Sequence, residues 1–274
     1  VKSELIDRCV AVDLEWRTMT RSVEGLRGEL KKLSEARNIP VAKKVKEQIK
    51  TIEERLEKVA TERDALLQQI PNIPDPEWPV GKDESENKVL RVVGKPPQFD
   101  FEPKDYLTLA TQLGIIDIER AAKVSGSRFG YLFGEAALLE FALIQFAMSR
   151  LVAKGFRPVV PPQMIRPEVY RGMGRLAGAQ EEERYHLAKD DLYLVGSAEH
   201  TIGPIHMNEV LDEESLPRRY VGFSTCFRRE AGSYGKDTKG ILRVHQFDKV
   251  EMFAFVCPEA AKAEHEFLLS TAPA

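Results

Sequence analysis

Two stripes of apolar residues run through the N-terminal part of the chain with the spacing of a coiled coil. Within each stripe the apolar residues recur at alternating steps of four and three, which places them along one side of an α-helix. The first stripe consists of Val12, Trp16, Met19, Val23, Leu26, Leu30 and Leu33. The second consists of Val45, Ile49, Ile52, Leu56, Val59, Leu66 and Ile70, with Arg63 in the place of one apolar residue. This pattern predicts two long helices that bury their stripes against each other.

The segment between the two stripes predicts a sharp reversal of the chain. Asn38 can adopt the left-handed backbone conformation that ends a helix, and Pro40 blocks continuation of that helix. Two helices of about 25 to 30 residues then form an antiparallel hairpin that projects about 40 Å. The chain is thus predicted to begin with an extended arm.

Lysine and arginine side chains are concentrated around the tip of this arm. They are Arg27, Lys31, Lys32, Arg37, Lys43, Lys44 and Lys46. Only Glu29 and Glu35 oppose them within the same stretch. Such a patch can neutralise the phosphates of a nucleic acid, but a coiled coil whose charges serve solubility or dimerisation has the same pattern. The residues alone leave both interpretations open.

Composition limits the classes of protein that the chain can represent. Its 274 residues suffice for about two domains. The sequence has no uninterrupted apolar stretch of about 18 residues and no signal-peptide pattern, so we expect a cytoplasmic protein without a membrane span. Cys9, Cys226 and Cys257 are far apart, which argues against a disulfide framework or a structural zinc site. Because the formal charge is -3, any contact with nucleic acid must come from a local patch.

A proline-rich segment, residues 70–79, ends the second stripe and marks a domain boundary. We therefore expect a coiled-coil arm over residues 1–71, a linker over residues 72–98 and a second domain over residues 99–274. Residues 89–93 are apolar enough to form a short strand that leads into that domain.

Two segments near the C-terminal end, residues 220–230 and 241–255, flank a loop rich in Gly, Ser, Lys and Asp and predict a β-hairpin. Side chains alternate between the faces of a strand. One shared face is therefore expected to carry Arg228, Glu230, Arg243, His245, Phe247, Lys249 and Glu251. Unpaired charges near a core are costly, so this face predicts a site for a ligand that is both anionic and zwitterionic. Ion pairs that merely stabilise the sheet are the alternative.

The sequence FRREAGSYGKDTKGILRVHQFDKVEMF, which starts at Phe227, resembles the motif 2 hairpin of class II aminoacyl-tRNA synthetases, and most closely the seryl-tRNA synthetase family. The segments RAAKVSGSRFGYL, GFRPVVPP and LYLVGSAEH and the N-terminal arm are similar to the same family in the same order. The resemblance implies an α+β fold. An antiparallel helical coiled-coil hairpin would be followed by the antiparallel sheet and flanking helices of the catalytic domain, with motifs 1 and 2 only.

The same resemblance implies a serine-tRNA ligase that activates L-serine with ATP and transfers it to tRNA(Ser). Arg228 would be the catalytic residue, bridging the serine carboxylate and the α-phosphate. On the ATP side, Glu230 would address the adenine side or orient ATP, and Arg243 would meet the terminal phosphates. Phe247 would stack on adenine, unless it is a core aromatic, and the main chain at Val244 would bind the adenine edge.

On the serine side, the resemblance places Ser197 and Glu199 in the family's TxE element. Glu199 would hold the ammonium group, while Ser197 stands where threonine is usual and keeps its hydroxyl. Both residues are expected to share one face of a strand. Glu251 would read the hydroxyl or the amine of serine. His200 is not what the family leads us to expect, and it either lines the pocket or packs beside it.

The resemblance also implies two macromolecular partners. The basic arm would grip tRNA(Ser), and residues 232–239 would approach its acceptor end. Residues 135–162 resemble motif 1 and would form a homodimer interface, with a buried helix in a monomer as the alternative. No membrane partner is implied.

The family's motif 3 is absent from the sequence. That motif supplies the principal Mg²⁺ carboxylate, so we expect no metal site in this chain, and nothing resembles the family's zinc-dependent variant. We expect the sequence to be part of a longer synthetase and to be inactive as written. Two other functions remain open, namely a tRNA-binding paralogue without activation activity and an enzyme that loads an amino acid onto a carrier protein.

Overall fold

The computed structural model describes residues 3–231 and 240–271. The chain divides into two compact units, Val1–Leu90 and Arg91–Ala274. The loop predicted over residues 232–239 lies outside the described residues. Residues 89–93 form no strand, so that prediction is wrong. Val89, Leu90 and Val92 are 75%, 82% and 81% exposed.

The first unit is an antiparallel pair of helices, α1 (Ser3–Glu35) and α2 (Ile39–Leu67). Val23, Val45 and Ile49 are buried between them, and five further stripe residues pack around this core: Leu26, Leu30, Leu33, Ile52 and Leu56. Three exposed ion pairs also cross the seam: Arg8 with Glu62, Arg55 with Glu15, and Arg27 with Glu53. The predicted helical hairpin is confirmed.

The reversal between the helices lies where the sequence predicts it, but one residue role in that prediction is wrong. Arg37, not Asn38, adopts the left-handed conformation, with φ of 55°. The Asn38 N–H donates to the Leu33 carbonyl (3.0 Å) and the Arg37 N–H to the Ser34 carbonyl (3.1 Å), which is the Schellman pattern. Pro40 lies in the first turn of α2, where its missing N–H leaves no bond unmade.

One charged residue interrupts the second stripe without disturbing the helix pair. The Arg63 guanidinium lies over the Trp16 ring, 4.0 Å from its centre. A cation over an aromatic face is attracted by the ring quadrupole, so the arginine stem can stay on the apolar seam while its charge remains satisfied.

The second unit starts with short elements. α3 (Tyr106–Leu113) ends at Gly114, and α4 (Ile118–Ser125) lies between the paired strands β1 (Ile116–Asp117) and β2 (Tyr131–Leu132). A long apolar helix, α5 (Glu135–Ala153), follows. By length and composition alone α5 could cross a membrane, although the sequence pattern predicted no such segment, and only 6% of its apolar window is buried.

Two sheets make up the rest of this unit. In the first, β3 (Arg157–Val159) pairs in parallel with β7 (Arg218–Phe227), which pairs antiparallel with β8 (Gln246–Phe255). In the second, β6 (Leu192–Leu194) lies between β4 (Met164–Ile165) and β5 (His186–Leu187), all antiparallel. The remaining helices are α6 (Pro167–Gly172), α7 (Glu199–Ile202) and α8 (Ala261–Thr271). The predicted α+β class is confirmed, with one parallel pair in the main sheet.

The core of the main sheet forms where helices cover its strands. Val221 of β7 packs with Leu151 of α5 and Phe156, and α8 adds Phe267 to the same cluster. The Arg219 guanidinium holds α8 in place through two bonds of 2.6 and 2.7 Å to the buried Glu264 carboxylate. These contacts give β7 and β8 a rigid support on one face.

Both strands of the hairpin are shorter than the alternation pattern predicts. Arg228 and Glu230 lie beyond the end of β7, and Arg243 and His245 lie before β8. The Arg228 N–H still bonds to the His245 carbonyl (2.9 Å), but the His245 N–H donates to the Arg128 carbonyl (3.0 Å). Because the His245 N–H bonds to a residue outside the β7–β8 pair, the two segments separate here. Arg228 and Glu230 lie on one of them, and Arg243 lies on the other.

Candidate active site

A polar cavity of about 530 Å³ opens where the two strands diverge. Its wall consists of Arg175, Gln180, Glu183, Arg184, Ser197, Glu199, His200, Arg228, Glu230, Arg243 and Lys249. The structure thus brings together five of the predicted site residues: Ser197, Glu199, Arg228, Glu230 and Arg243. Cationic side chains outnumber carboxylates in this wall, so the cavity suits an anionic ligand.

Arg228 is held by contacts on two sides. Its Nε donates to the Gly196 carbonyl (3.0 Å), and its guanidinium carbon lies 5.1 Å from the centre of the Phe247 ring. The main-chain bond to His245 fixes the backbone below it. Because these contacts restrain the stem and the plane of the guanidinium, its orientation at the cavity wall is set before any ligand arrives.

Glu230 and Arg243 contact each other across the gap between the diverging segments. Arg243 Nη1 donates to Glu230 Oε2 at 2.7 Å, and the two side chains are 38% and 11% exposed. Glu230 adopts a left-handed backbone conformation with φ of 54°, which is uncommon for a residue other than glycine. This local conformation, rather than strand alternation, brings its carboxylate to Arg243.

A network of three hydrogen-bond donors surrounds the Glu251 carboxylate. Its Oε2 accepts from the Ser197 hydroxyl (2.6 Å) and the Glu199 N–H (2.9 Å), and its Oε1 accepts from Lys249 Nζ (2.9 Å). Lys249 also donates to the Ser197 hydroxyl at 2.7 Å. The structure therefore places Glu251 behind Ser197 and Lys249, and it does not line the cavity itself.

Ser197 and Glu199 do not share a strand face, so that prediction is wrong. β6 ends at Leu194, Ser197 lies in a bend, and Glu199 begins α7. Ala198 has helical angles, φ of -60° and ψ of -29°, which turns the chain before α7. The turn still brings both side chains to the cavity, where Arg175 Nη2 donates to Glu199 Oε1 at 2.6 Å.

Comparisons with known proteins place this geometry in a family. Residues 183–272 match the tRNA synthetase class II core domain (G, H, P, S and T). A serine–tRNA ligase of Acidothermus cellulolyticus is 50% identical over 97% of this chain, which spans 65% of that relative's length. The crystal structure of a Pyrococcus horikoshii seryl-tRNA synthetase complexed with ATP superposes with a TM-score of 0.78 at 38% identity, covering 97% of this chain and 67% of that one.

The chain belongs to the seryl-tRNA synthetase family. A cytoplasmic serine-tRNA ligase from Naegleria fowleri, solved in complex with AMP, also matches with a TM-score of 0.76 and 30% identity over 97% of this chain and 63% of its own. The chain spans about 65% of the length of the curated relatives that it matches.

Two predicted ATP-site residues line a neighbouring cavity instead. Val244 and Phe247 face a space of about 600 Å³ that they share with Phe129 and Ile241. Phe247 nevertheless lies on the same side of β8 as Lys249 and touches the Arg228 guanidinium, so the two cavities meet at this contact.

Several cavity residues carry no signal in the sequence pattern. Arg175 and Arg184 come from the segment between α6 and β6, and their Nε atoms are buried without a partner in the described parts of the chain. A Cβ added at Gly196 would lie only 2.7 Å from Arg184 Nη1, so a larger residue here would displace the end of the Arg184 side chain. The charged residues before Arg184 indicate a binding site only weakly, because such a run is equally typical of a solvated loop.

Two carboxylates at the cavity are engaged with basic side chains: Glu230 with Arg243 and Glu199 with Arg175. Within residues 3–231 and 240–271, no group of three or more His, Cys, Asp or Glu side chains is placed to hold a metal ion. Cys9, Cys226 and Cys257 are free thiols, and burial raises the pKa of Cys226, under the site, to about 11.

Proposed function

We propose that this protein is a serine-tRNA ligase, which activates L-serine with ATP to seryl-adenylate and then transfers the seryl group to tRNA(Ser). The observation that carries the proposal is the cavity that joins Arg228, Arg243 and Lys249 to Glu199 and Ser197. Relatives named as serine–tRNA ligases, and neighbours whose structures hold ATP or AMP, support it.

In the proposed first step, a serine carboxylate oxygen attacks the α-phosphorus of ATP. The bond from that phosphorus to the bridging oxygen breaks and pyrophosphate leaves, so no proton needs to move. Negative charge accumulates on the phosphoryl oxygens in the transition state. Arg228 is positioned to neutralise this charge, because the contacts with Gly196 and Phe247 fix its guanidinium in advance.

The rest of the ATP molecule is assigned to residues that the structure places around Arg228. Arg243 would bind the terminal phosphates, and its partner Glu230 would keep the guanidinium oriented until they arrive. Phe247 would stack on adenine, and the Val244 main chain would bind the adenine edge. These roles use the neighbouring cavity, which meets the polar one at the contact between Arg228 and Phe247.

The amino-acid end of the cavity is assigned to serine. Glu199 would bind the ammonium group, with Arg175 holding its carboxylate. Ser197 and Lys249 lie beside it, and both donate to Glu251. Glu251 would reach the serine hydroxyl or amine when the substrate displaces one of these donors. Until then the network keeps the Glu251 carboxylate satisfied.

The partners follow from two exposed surfaces, each on its own unit. All seven basic residues at the tip of the arm are exposed and can contact the backbone of tRNA(Ser). On α5, Leu138, Phe141 and Phe146 are 70%, 65% and 57% exposed, and a second copy of the chain would cover this apolar face. We propose a homodimer through residues 135–162, acting in the cytoplasm, where serine, ATP and tRNA are available.

Pyrophosphate exchange by the full-length protein tests the proposal. Exchange should depend on serine and be far slower with alanine, glycine or threonine, and purified tRNA(Ser) should then accept labelled serine. Serine-dependent exchange without transfer to tRNA would instead support loading of a carrier protein. Absence of exchange with any amino acid would support a tRNA-binding paralogue and contradict the proposal.

A further inference from the structure

A buried histidine lies at the amino-acid end of the cavity and is not used in the mechanism above. His200 is in the first turn of α7, directly after Glu199, and is 3% exposed. Its Nδ1 lies 2.9 Å from the Tyr170 hydroxyl and 3.2 Å from the Gly196 main-chain nitrogen. An amide N–H can only donate, so Nδ1 must be the acceptor and carries no proton.

The other ring nitrogen therefore defines the tautomer. With Nδ1 unprotonated, a neutral imidazole has its hydrogen on Nε2, which lies 3.5 Å from Glu199 Oε1. Burial, together with the charges of Arg184, Arg175, Lys249 and Arg228, lowers the pKa of His200 to about 3. The ring is thus neutral at pH 7, and its approach to Glu199 is a polar contact rather than an ion pair.

The residue held by His200 has a second contact of functional importance. The Gly196 N–H faces His200 and Tyr170, while the Gly196 carbonyl accepts from Arg228 Nε at 3.0 Å. Ser197 follows Gly196 directly in the chain. A displacement of Gly196 would therefore move the catalytic guanidinium and the start of the serine-binding turn together.

We infer, on the basis of the proposed function, that His200 is a positioning residue for serine activation. Its neutral Nε2–H imidazole anchors the Gly196 main chain through Nδ1 and faces Glu199 through Nε2. It acts through these residues, and no contact with substrate is required. The chemical requirement at this position is an acceptor directed at Gly196, which an apolar side chain of similar size cannot provide.

Three substitutions separate the two nitrogens. His200→Asn puts an amide oxygen near the place of Nδ1, His200→Gln puts an amide nitrogen near that of Nε2, and His200→Phe removes both while filling the space. His186→Asn is the matched control, because that side chain is 40% exposed and lies outside the cavity wall. Serine and ATP kinetics are measured by pyrophosphate exchange with the full-length protein, alongside thermal unfolding.

We expect His200→Phe and His200→Gln to lower kcat/KM for serine about tenfold, the effect of losing one buried hydrogen bond. His200→Asn should restore most of this loss, and KM for ATP should change less than about twofold in all three. Equal defects in all three variants, or loss of thermal stability with unchanged serine kinetics, would show a packing role and overturn the inference.

Nitrogen NMR of ¹⁵N-histidine-labelled protein tests the geometry without activity. The His200 signals should show an unprotonated Nδ1 and a protonated Nε2 at pH 7, and should persist at pH 5. A proton on Nδ1 would overturn the inference even if the variants were slow. If the wild-type protein showed no pyrophosphate exchange with any amino acid, the proposed function would be contradicted instead. The NMR experiment would then still test the tautomer of His200.

Discussion

The Ser197 hydroxyl donates to the Glu251 carboxylate at 2.6 Å and accepts from Lys249 at 2.7 Å, so one small side chain joins an acid and a base at the cavity. Ser197→Ala removes both bonds and leaves the Glu251 carboxylate and the Lys249 ammonium with one partner fewer each. We expect KM for serine to rise about tenfold in pyrophosphate exchange. Ser197→Thr, which keeps the hydroxyl, is the matched comparison. Equal kinetics for the two variants would contradict a role for the hydroxyl.

Arg228 is expected to contribute most to the activation step. Arg228→Ala removes the fixed guanidinium beside the phosphoryl group and should lower kcat for exchange by about 100- to 1,000-fold, as loss of one preorganised charge donor does in other enzymes. The neighbouring residue provides the control, because Arg229 packs over the Tyr185 ring and does not line the cavity. If Arg229→Ala lowered kcat as much as Arg228→Ala, the defect would result from disruption of the hairpin and not from loss of the catalytic charge.

The helical hairpin of the arm was predictable because residues close together in the sequence determine it. A heptad stripe such as that through Val23 determines which face of α1 is buried, and the break between the stripes determines where α2 begins. The detailed turn was not predictable. Several residues at the end of a helix can adopt the left-handed conformation. Here it is Arg37 rather than the more usual asparagine, and this allows the Arg37 and Asn38 N–H groups to bond to the carbonyls of Ser34 and Leu33.

The cavity was predictable only in part, because tertiary packing assembles it. Alternation in β8 correctly places Lys249 and Glu251 on one side. It fails at Arg228 and Arg243, because the bond from His245 to Arg128 ends the ladder. Arg175 approaches the cavity from a separate segment after α6, and nothing in its own neighbourhood indicates where it will lie.

The pKa of His200 has a consequence for stability at low pH. In the unfolded chain this histidine takes up a proton near its ordinary pKa of 6.5, whereas in the folded protein burial and the nearby cations lower the pKa to about 3. Between pH 6.5 and about pH 3 the unfolded state therefore binds more protons than the folded state. The contribution of neutral His200 is complete above pH 6.5 and is lost, at about 1.4 kcal/mol per pH unit, as the pH falls towards 3.

Urea denaturation at pH 7.5 and pH 5.5 measures this effect. The free energy of unfolding should fall by about 1 kcal/mol more in the wild-type protein than in His200→Asn, which has no titrating group at this position. His186→Asn, at an exposed site, should behave like the wild type. An identical pH dependence in all three proteins would show that His200 is not buried as a neutral group.

The tip of the arm should contribute electrostatic affinity without base specificity. Lys43 and Lys44 are exposed at the start of α2, and replacing both with alanine should reduce the slope of log affinity against log salt by about 2 when tRNA(Ser) binding is titrated. Lys58→Ala, exposed on the same helix but away from the tip, is the control. Unchanged slopes would indicate that these charges serve solubility and that tRNA binds elsewhere.

The apolar face of α5 predicts the oligomeric state. Phe141 is 65% exposed, whereas α5 packs on the main sheet through Leu151, so Phe141→Asp should not disturb the monomer. It would, however, bury an unpaired carboxylate if a second copy covers the helix, at a cost large enough to prevent association. Sedimentation velocity should show a dimer for the wild-type protein and for the control Val210→Asp, whose site is 99% exposed outside α5, and a monomer for Phe141→Asp. Because an aqueous dimer needs no detergent, sedimentation in plain buffer also separates this interface from a membrane-spanning helix. A wild-type monomer, or a dimer that persists in Phe141→Asp, would mean that something other than a second α5 face covers this surface.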